Sequence, residues 1–167
     1  MSAPRALDSC DSRGVTKDDD RGITQRFARE PFLDLVTFRA DGSPAHTPVW
    51  VSGSERELFV STFAHSYKVA RVRSNGLVGL AVCDGPGNVA SDEPYVAGVA
   101  RILDSSEFKA GVQAHRGKYG RHFAMMWPAR WPLRLIGKRR VWIIIEVDPD
   151  RSLPVIERPV IEPPQGR

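Results

Sequence analysis

The chain has 167 residues, 41% of them hydrophobic and 26% charged, which suits one globular domain with one core and leaves little room for two. No apolar run reaches the roughly 20 residues that a membrane helix needs, the N-terminus has no apolar stretch of the secretory kind, and two cysteines, Cys10 and Cys83, make neither a disulfide framework nor a metal site. A cytoplasmic protein away from membranes is expected. Its formal net charge of +4, carried mostly by arginine, points to an anionic ligand, because guanidinium groups pair bidentately with phosphate or carboxylate.

Residues 1–20 are polar and aperiodic and read as a disordered leader. Residues 20–30 suit a first helix, stopped by Pro31. Residues 32–39 are rich in β-branched and aromatic side chains and run into Asp41-Gly42, a hairpin signal. Residues 45–51 form the return strand, 52–56 a turn, and 58–63 the third strand of a meander. A short helix over 66–74 turns Val69 and Val72 inward, leaves Lys68, Arg71 and Arg73 for a ligand, and ends at Asn75-Gly76. The apolar run 77–83 reads as a buried strand, and 95–103 and 140–147 complete a set of six. Between them, Asp104 and Glu107 have capping-box spacing for a helix to about residue 119. The tail from 154, with Pro159, Pro163 and Pro164, is expected to be extended. One domain over 21–153 is therefore expected, of α+β class and mainly β: a barrel of six or more mostly antiparallel strands with peripheral helices.

Three stretches can carry chemistry. In 61–73 a strand ending in Ser61 and Thr62 leads through a short loop to a helix that starts at Ser66. Backbone N–H groups at a helix start attract anions, and Lys68, Arg71 and Arg73 add positive charge, so these are the parts of a phosphate cradle. A solvated basic helix is the competing reading, and the residues alone leave both open. In His46-Thr47-Pro48-Val49-Trp50 a proline inside a strand implies an edge or a bulge. Such a strand offers backbone groups to a planar heterocycle with Trp50 as a wall, although on composition alone Trp50 as core, with Pro48 marking a bend, is the preferred reading. The third stretch, 116–140, holds Arg116, Lys118, Arg121, Arg130, Arg134, Lys138, Arg139 and Arg140 and no acid. Pro128 and Pro132 break it, so a loop-rich lid is preferred to a nucleic-acid face.

The ordered series Phe-Arg-x-Asp-Gly-x-Pro (38–44), Thr-Pro-Val-Trp (47–50), Thr62 six residues before Lys68, Lys-Val-x-Arg-x-Arg (68–73) and Cys83-Asp84 resembles the pyridoxamine 5'-phosphate oxidase-like flavin and deazaflavin oxidoreductases. Within them it is most similar to the branch of coenzyme F420-dependent enzymes. The resemblance runs from 32 to 103, and more loosely to 148. It implies a split β-barrel homodimer with F420, or alternatively FMN, bound between the subunits. Ala45, His46, Thr47, Pro48, Val49 and Trp50 would lie along the ring system. Ser61, Thr62, Tyr67, Lys68 and Arg73, helped by Arg71, would hold the phosphate region, and Asp84, Gly85, Pro86 and Gly87 would approach from the next strand. Tyr67 stands where a glycine commonly precedes the lysine.

The implied reaction is hydride transfer to or from a small organic substrate, with the cofactor doing the difficult chemistry. No catalytic side chain is assigned, though His46 and His65 flank the expected groove as possible proton donors. No metal-ligand spacing occurs, and hydrolase, P-loop and Rossmann signatures are absent. A non-catalytic flavin or deazaflavin carrier or sensor is the first alternative, and a basic nucleic-acid-binding barrel the second.

Overall fold

In the computed structural model, residues 12–103, 108–126 and 139–158 are described, for 12–19 and 121–126 through the backbone alone. The elements are α1 (Ser12–Arg29), β1 (Phe32–Phe38), β2 (Pro44–Ala45), β3 (Pro48–Gly53), β4 (Leu58–Phe63), α2 (Tyr67–Ser74), β5 (Leu77–Val82), β6 (Val96–Ile102), α3 (Phe108–Met126) and β7 (Arg140–Val147).

All strand pairs are antiparallel, in the order β2-β1-β3-β4-β7-β6-β5, and β5 pairs back with β1, from Leu33 opposite Val82 to Thr37 opposite Val78. Six strands therefore close a barrel and only the short β2 lies outside the ring, so the expected mainly β, split-barrel architecture stands. Closure leaves few free edges.

Period-two alternation fills the interior with Leu33, Leu35, Val49, Val51, Leu58, Val60, Val78, Leu80, Ile143 and Ile145. α2 adds Val69 and Val72, and α1 adds Phe27, to this core. The uninterrupted apolar run of β7 has a second cause. On the other face of β4 and β7, Phe59, Trp142 and Ile144 pack against Phe108, Val112 and Ala114 of α3, so these strands are buried on both faces.

Several boundaries differ from the sequence reading. α1 begins at Ser12 rather than near Asp20, inside the stretch expected as leader. The return strand is split into β2 and β3, and β3 runs on to Gly53, so the turn shortens to 54–57. α3 extends to Met126, past the expected end near 119, with a break at Gly120, whose φ is 46°. Asp104 and Glu107, the proline-broken part of the basic stretch over 127–138, and the tail beyond 158 lie outside the described residues.

Candidate functional site

A one-residue insertion would shift the pairing of β1 across the split. It does not: Thr37 faces Ala45 and Asp34 faces Pro48 in one continuous register. Of the edge and the bulge that Pro48 left open, the bulge is absent. Leu35 N–H donates to Thr47 O at 2.9 Å, and the Thr47 N–H is taken by Asp34 Oδ1 at 3.0 Å. The edge reading of Pro48 fares better. β3 pairs with β4 only from Val51 onward, so Pro48 sits where its missing N–H leaves no ladder bond unmade.

His46, Pro48 and Trp50 alternate onto one face of this edge. Pro48 and Trp50 are exposed, Trp50 by 44%, while Ala45 and Val49 turn inward and are buried. Trp50 is neither core nor free. It stacks on Tyr119 with centroids 5.5 Å apart and meets Phe32 edge-on. Tyr119 is fixed by donating to Val51 O at 2.6 Å, and the Lys118 ammonium bonds Glu30 O and Val51 O. Burial holds the Lys118 amine down to about 8. Gly87, with φ at 102°, lies beside Pro48: a Cβ there would come within 3.3 Å of its ring. Asp84 accepts from the N–H groups of Gly87 and Asn88 and from the Asn88 amide. Its carboxylate thus shapes the 84–88 turn, and Gly85 and Pro86 are exposed upon it.

The cationic part of the site gathers at the end of β4. Lys68 Nζ donates to Thr62 Oγ1 at 3.3 Å, and the Ser66 hydroxyl lies 3.4 Å from the same oxygen. Ser66 is the N-cap of α2, yet its side chain makes no capping bond to the helix. Arg140 donates to Ser61 Oγ and Ser61 O, both at 3.2 Å, and lies over the Phe63 ring. Burial, with Arg71 and Arg140 nearby, pushes the Lys68 ammonium below its ordinary range, and burial does the same to both arginines. Among the described residues no carboxylate pairs with Lys68, Arg71 or Arg140. Repelling, partly desolvated cations without a counter-charge call for an anion.

The structure therefore brings Ser61, Thr62, Ser66, Lys68 and Arg71 together, and adds Arg140. The sequence placed Arg140 in the basic stretch and at the head of the last strand, with no part in this cradle; its register opposite Phe63 is what delivers it here. Arg73 and Tyr67 are exposed, Tyr67 by 83%, so the phenol does not fill the cradle. Asp34 and Tyr95 were missed altogether. Asp34 is fully buried, and its Oδ2 accepts from Tyr95 OH at 2.8 Å and lies 2.6 Å from His46 Nδ1. A lone carboxylate within Phe-Leu-Asp-Leu-Val-Thr-Phe was the available signal. His65 is exposed on the loop before α2.

His115 and Ser52 form a second buried polar pair, 2.5 Å apart, with His115 edge-on to Trp142. Burial and nearby cations hold the His115 imidazole down to about 4. It docks α3 on β3 rather than lining a groove. No three His, Cys, Asp or Glu side chains among the described residues cluster as a metal site, and no described helix is long and apolar enough to cross a membrane.

No protein-family model and no curated protein matches this chain. Solved structures do. An F420 reductase superposes with a TM-score of 0.51 at 19% identity, covering 74% of this chain and 92% of its own. A FAD-binding protein from Mesorhizobium loti gives 0.52 at 13%, covering 76% and 86%. A conserved hypothetical protein from Mycobacterium tuberculosis gives 0.51 at 21%, covering 87% and 86%. At such identities the likeness is one of fold, and at that level it bears out the resemblance read from the sequence.

Proposed function

We propose that this chain is an oxidoreductase that holds the phosphate of coenzyme F420, with FMN the alternative cofactor, at Lys68, Arg71 and Arg140. The observation that carries the reading is the uncompensated cation cluster beside Thr62, Ser61 and the uncapped start of α2. Hydroxyl donors, cations and a helix N-terminus fit a phosphate monoester or diester. The exposed row of Pro48 and Trp50, flanked by Gly87, supplies an apolar edge for a planar ring. The F420 reductase and the FAD-binding protein among the neighbours support a flavin-type ligand.

When bound, such a cofactor supplies two-electron hydride chemistry. The chain's own part is to bind the phosphate, lay the ring against the β3 edge and exclude water. A homodimer suits this arrangement, since the unpaired side of Pro48–Trp50 and the exposed Phe63 and Tyr67 need cover. A cytoplasmic location and a small organic substrate complete the reading.

The test is a titration of the purified chain with F420 and, separately, FMN, followed by cofactor fluorescence. Saturable binding of either supports the reading and selects between the two. Binding of neither, with nucleic acid bound instead in a strongly salt-dependent way, would overturn it.

A further inference from the structure

The carboxylate of Asp34 is placed with more polar contacts than a strand needs. It is wholly buried in β1, and among the described residues no lysine or arginine pairs with it. Its Oδ1 accepts the Thr47 N–H at 3.0 Å; its Oδ2 accepts from Tyr95 OH at 2.8 Å and meets His46 Nδ1 at 2.6 Å. A buried ionised carboxylate can only accept, so the proton between them sits on Nδ1 and His46 supplies the counter-charge when it is protonated. The other ring nitrogen, Nε2, has no bond among the described residues, and the His46 side chain is 19% exposed. Alternation puts that side chain on the same face as Pro48 and Trp50.

We propose that His46 is the acid–base residue of the groove, exchanging a proton through Nε2 with the substrate held against the ring along β3, and that Asp34 and Tyr95 are its positioning residues. The inference rests on the cofactor reading above and extends it. A staple for the Thr47 N–H could be built from a neutral side chain without the cost of burying a charge. A carboxylate behind an imidazole gives what a neutral staple does not: a fixed tautomer and a stabilised imidazolium. In the reductive direction a hydride from a reduced flavin or deazaflavin forms a C–H bond on the substrate. The displaced π pair takes the Nε2 proton, and His46 ends neutral with Nδ1–H still on Asp34. The substrate gains two electrons and the cofactor loses two.

The surrounding groups do not compete for that proton. Tyr95 and Cys83 are the titratable neighbours of Asp34; burial and the nearby carboxylates push the phenol up, and push the thiol up to about 12, so both stay protonated. Arg158 faces Tyr95 from the tail and is anchored on the carbonyls of Ala90 and Glu93. Asp84, near Cys83, is engaged by Gly87 and Asn88.

The experiment is nitrogen-15 NMR of the histidine side chains in the full chain, wild type and Asp34→Asn, free and with F420 or FMN. The expected result is a proton on Nδ1 of His46 in the free wild type, with an Nε2 resonance that moves saturably on cofactor addition. Asp34→Asn should abolish the Nδ1–H preference, because a carboxamide can donate to that nitrogen. Should that variant fail to fold, the two wild-type spectra decide alone. A proton on Nε2 with none on Nδ1 in the free protein, or an Nε2 signal unmoved at saturating cofactor, overturns the proposal and leaves the cofactor reading standing. Binding of neither cofactor removes both.

Discussion

Arg71 Nε donates to Thr37 Oγ1 at 2.7 Å, tying the middle of α2 to the last inward-facing position of β1. Leu33 and Leu35 precede Thr37 on that face, so the barrel's apolar lining ends in a hydroxyl where the cations begin. Three residues earlier, and so on the opposite face, Asp34 meets His46. One seven-residue strand thus organises both parts of the site: the cation cluster at the barrel end and the Asp34–His46 pair beside the β3 edge.

Charge repulsion makes a prediction that separates binding from folding. Burial and the neighbouring Arg71 and Arg140 disfavour the Lys68 ammonium in the folded chain, so Lys68→Ala should leave the melting temperature unchanged or slightly raised at low salt. Millimolar inorganic phosphate should raise the melting temperature of the wild type and have much less effect on the variant. Thermal unfolding with and without phosphate checks both.

His115 gives the protein an acid-side weakness. Its imidazole takes a proton near 6.5 when unfolded but stays neutral in the fold down to about 4. Across that window the unfolded state binds the extra proton, so stability falls as pH drops from 6.5 toward 4 and levels below it. The loss is at most roughly 3 kcal/mol by linkage. In urea titrations at a series of pH values, His115→Gln should lack this component of the slope while losing some stability throughout.

Gly111 lies within α3, where alanine ordinarily gains about 1 kcal/mol over glycine. Here a Cβ would come within 2.7 Å of the Trp142 ring, and Trp142 is buried on β7. Gly111→Ala should therefore destabilise by about 1–3 kcal/mol, read from denaturant midpoints. A gain in stability would show that α3 can move off the sheet.

The strands were legible because their alternation and turn residues act locally. Asp41-Gly42 does turn the chain, with Gly42 at φ 82°, and the β4 and β7 boundaries fall where apolar runs begin and end. Asn75-Gly76 ended α2 as expected, for another reason: neither residue has positive φ, and Gly76 is needed because a Cβ would come within 2.8 Å of Ala100 O. That contact joins residues far apart in sequence and leaves no local signature. The same limit hid Tyr95, which reaches Asp34 across 61 positions, and Arg140, which meets Ser61 across 79. Thr62 and Lys68 were found because six residues of strand, loop and helix keep them together. Edge and bulge stayed open at Pro48 in the sequence because the carboxylate that satisfies the Thr47 N–H in a continuous register is invisible to strand periodicity.

Phosphate recognition at Lys68 is what would separate a cofactor site from a merely basic surface. The most direct measurement compares the affinities of wild type and Lys68→Ala for F420 and its phosphate-free deazaflavin core, and likewise for FMN and riboflavin. The wild type should prefer the phosphorylated member of one pair by at least about tenfold, or ~1.4 kcal/mol, and Lys68→Ala should lose most of that preference while binding the phosphate-free partner as before. Equal affinity for phosphorylated and phosphate-free forms, or a preference untouched by the loss of Lys68, would contradict the account.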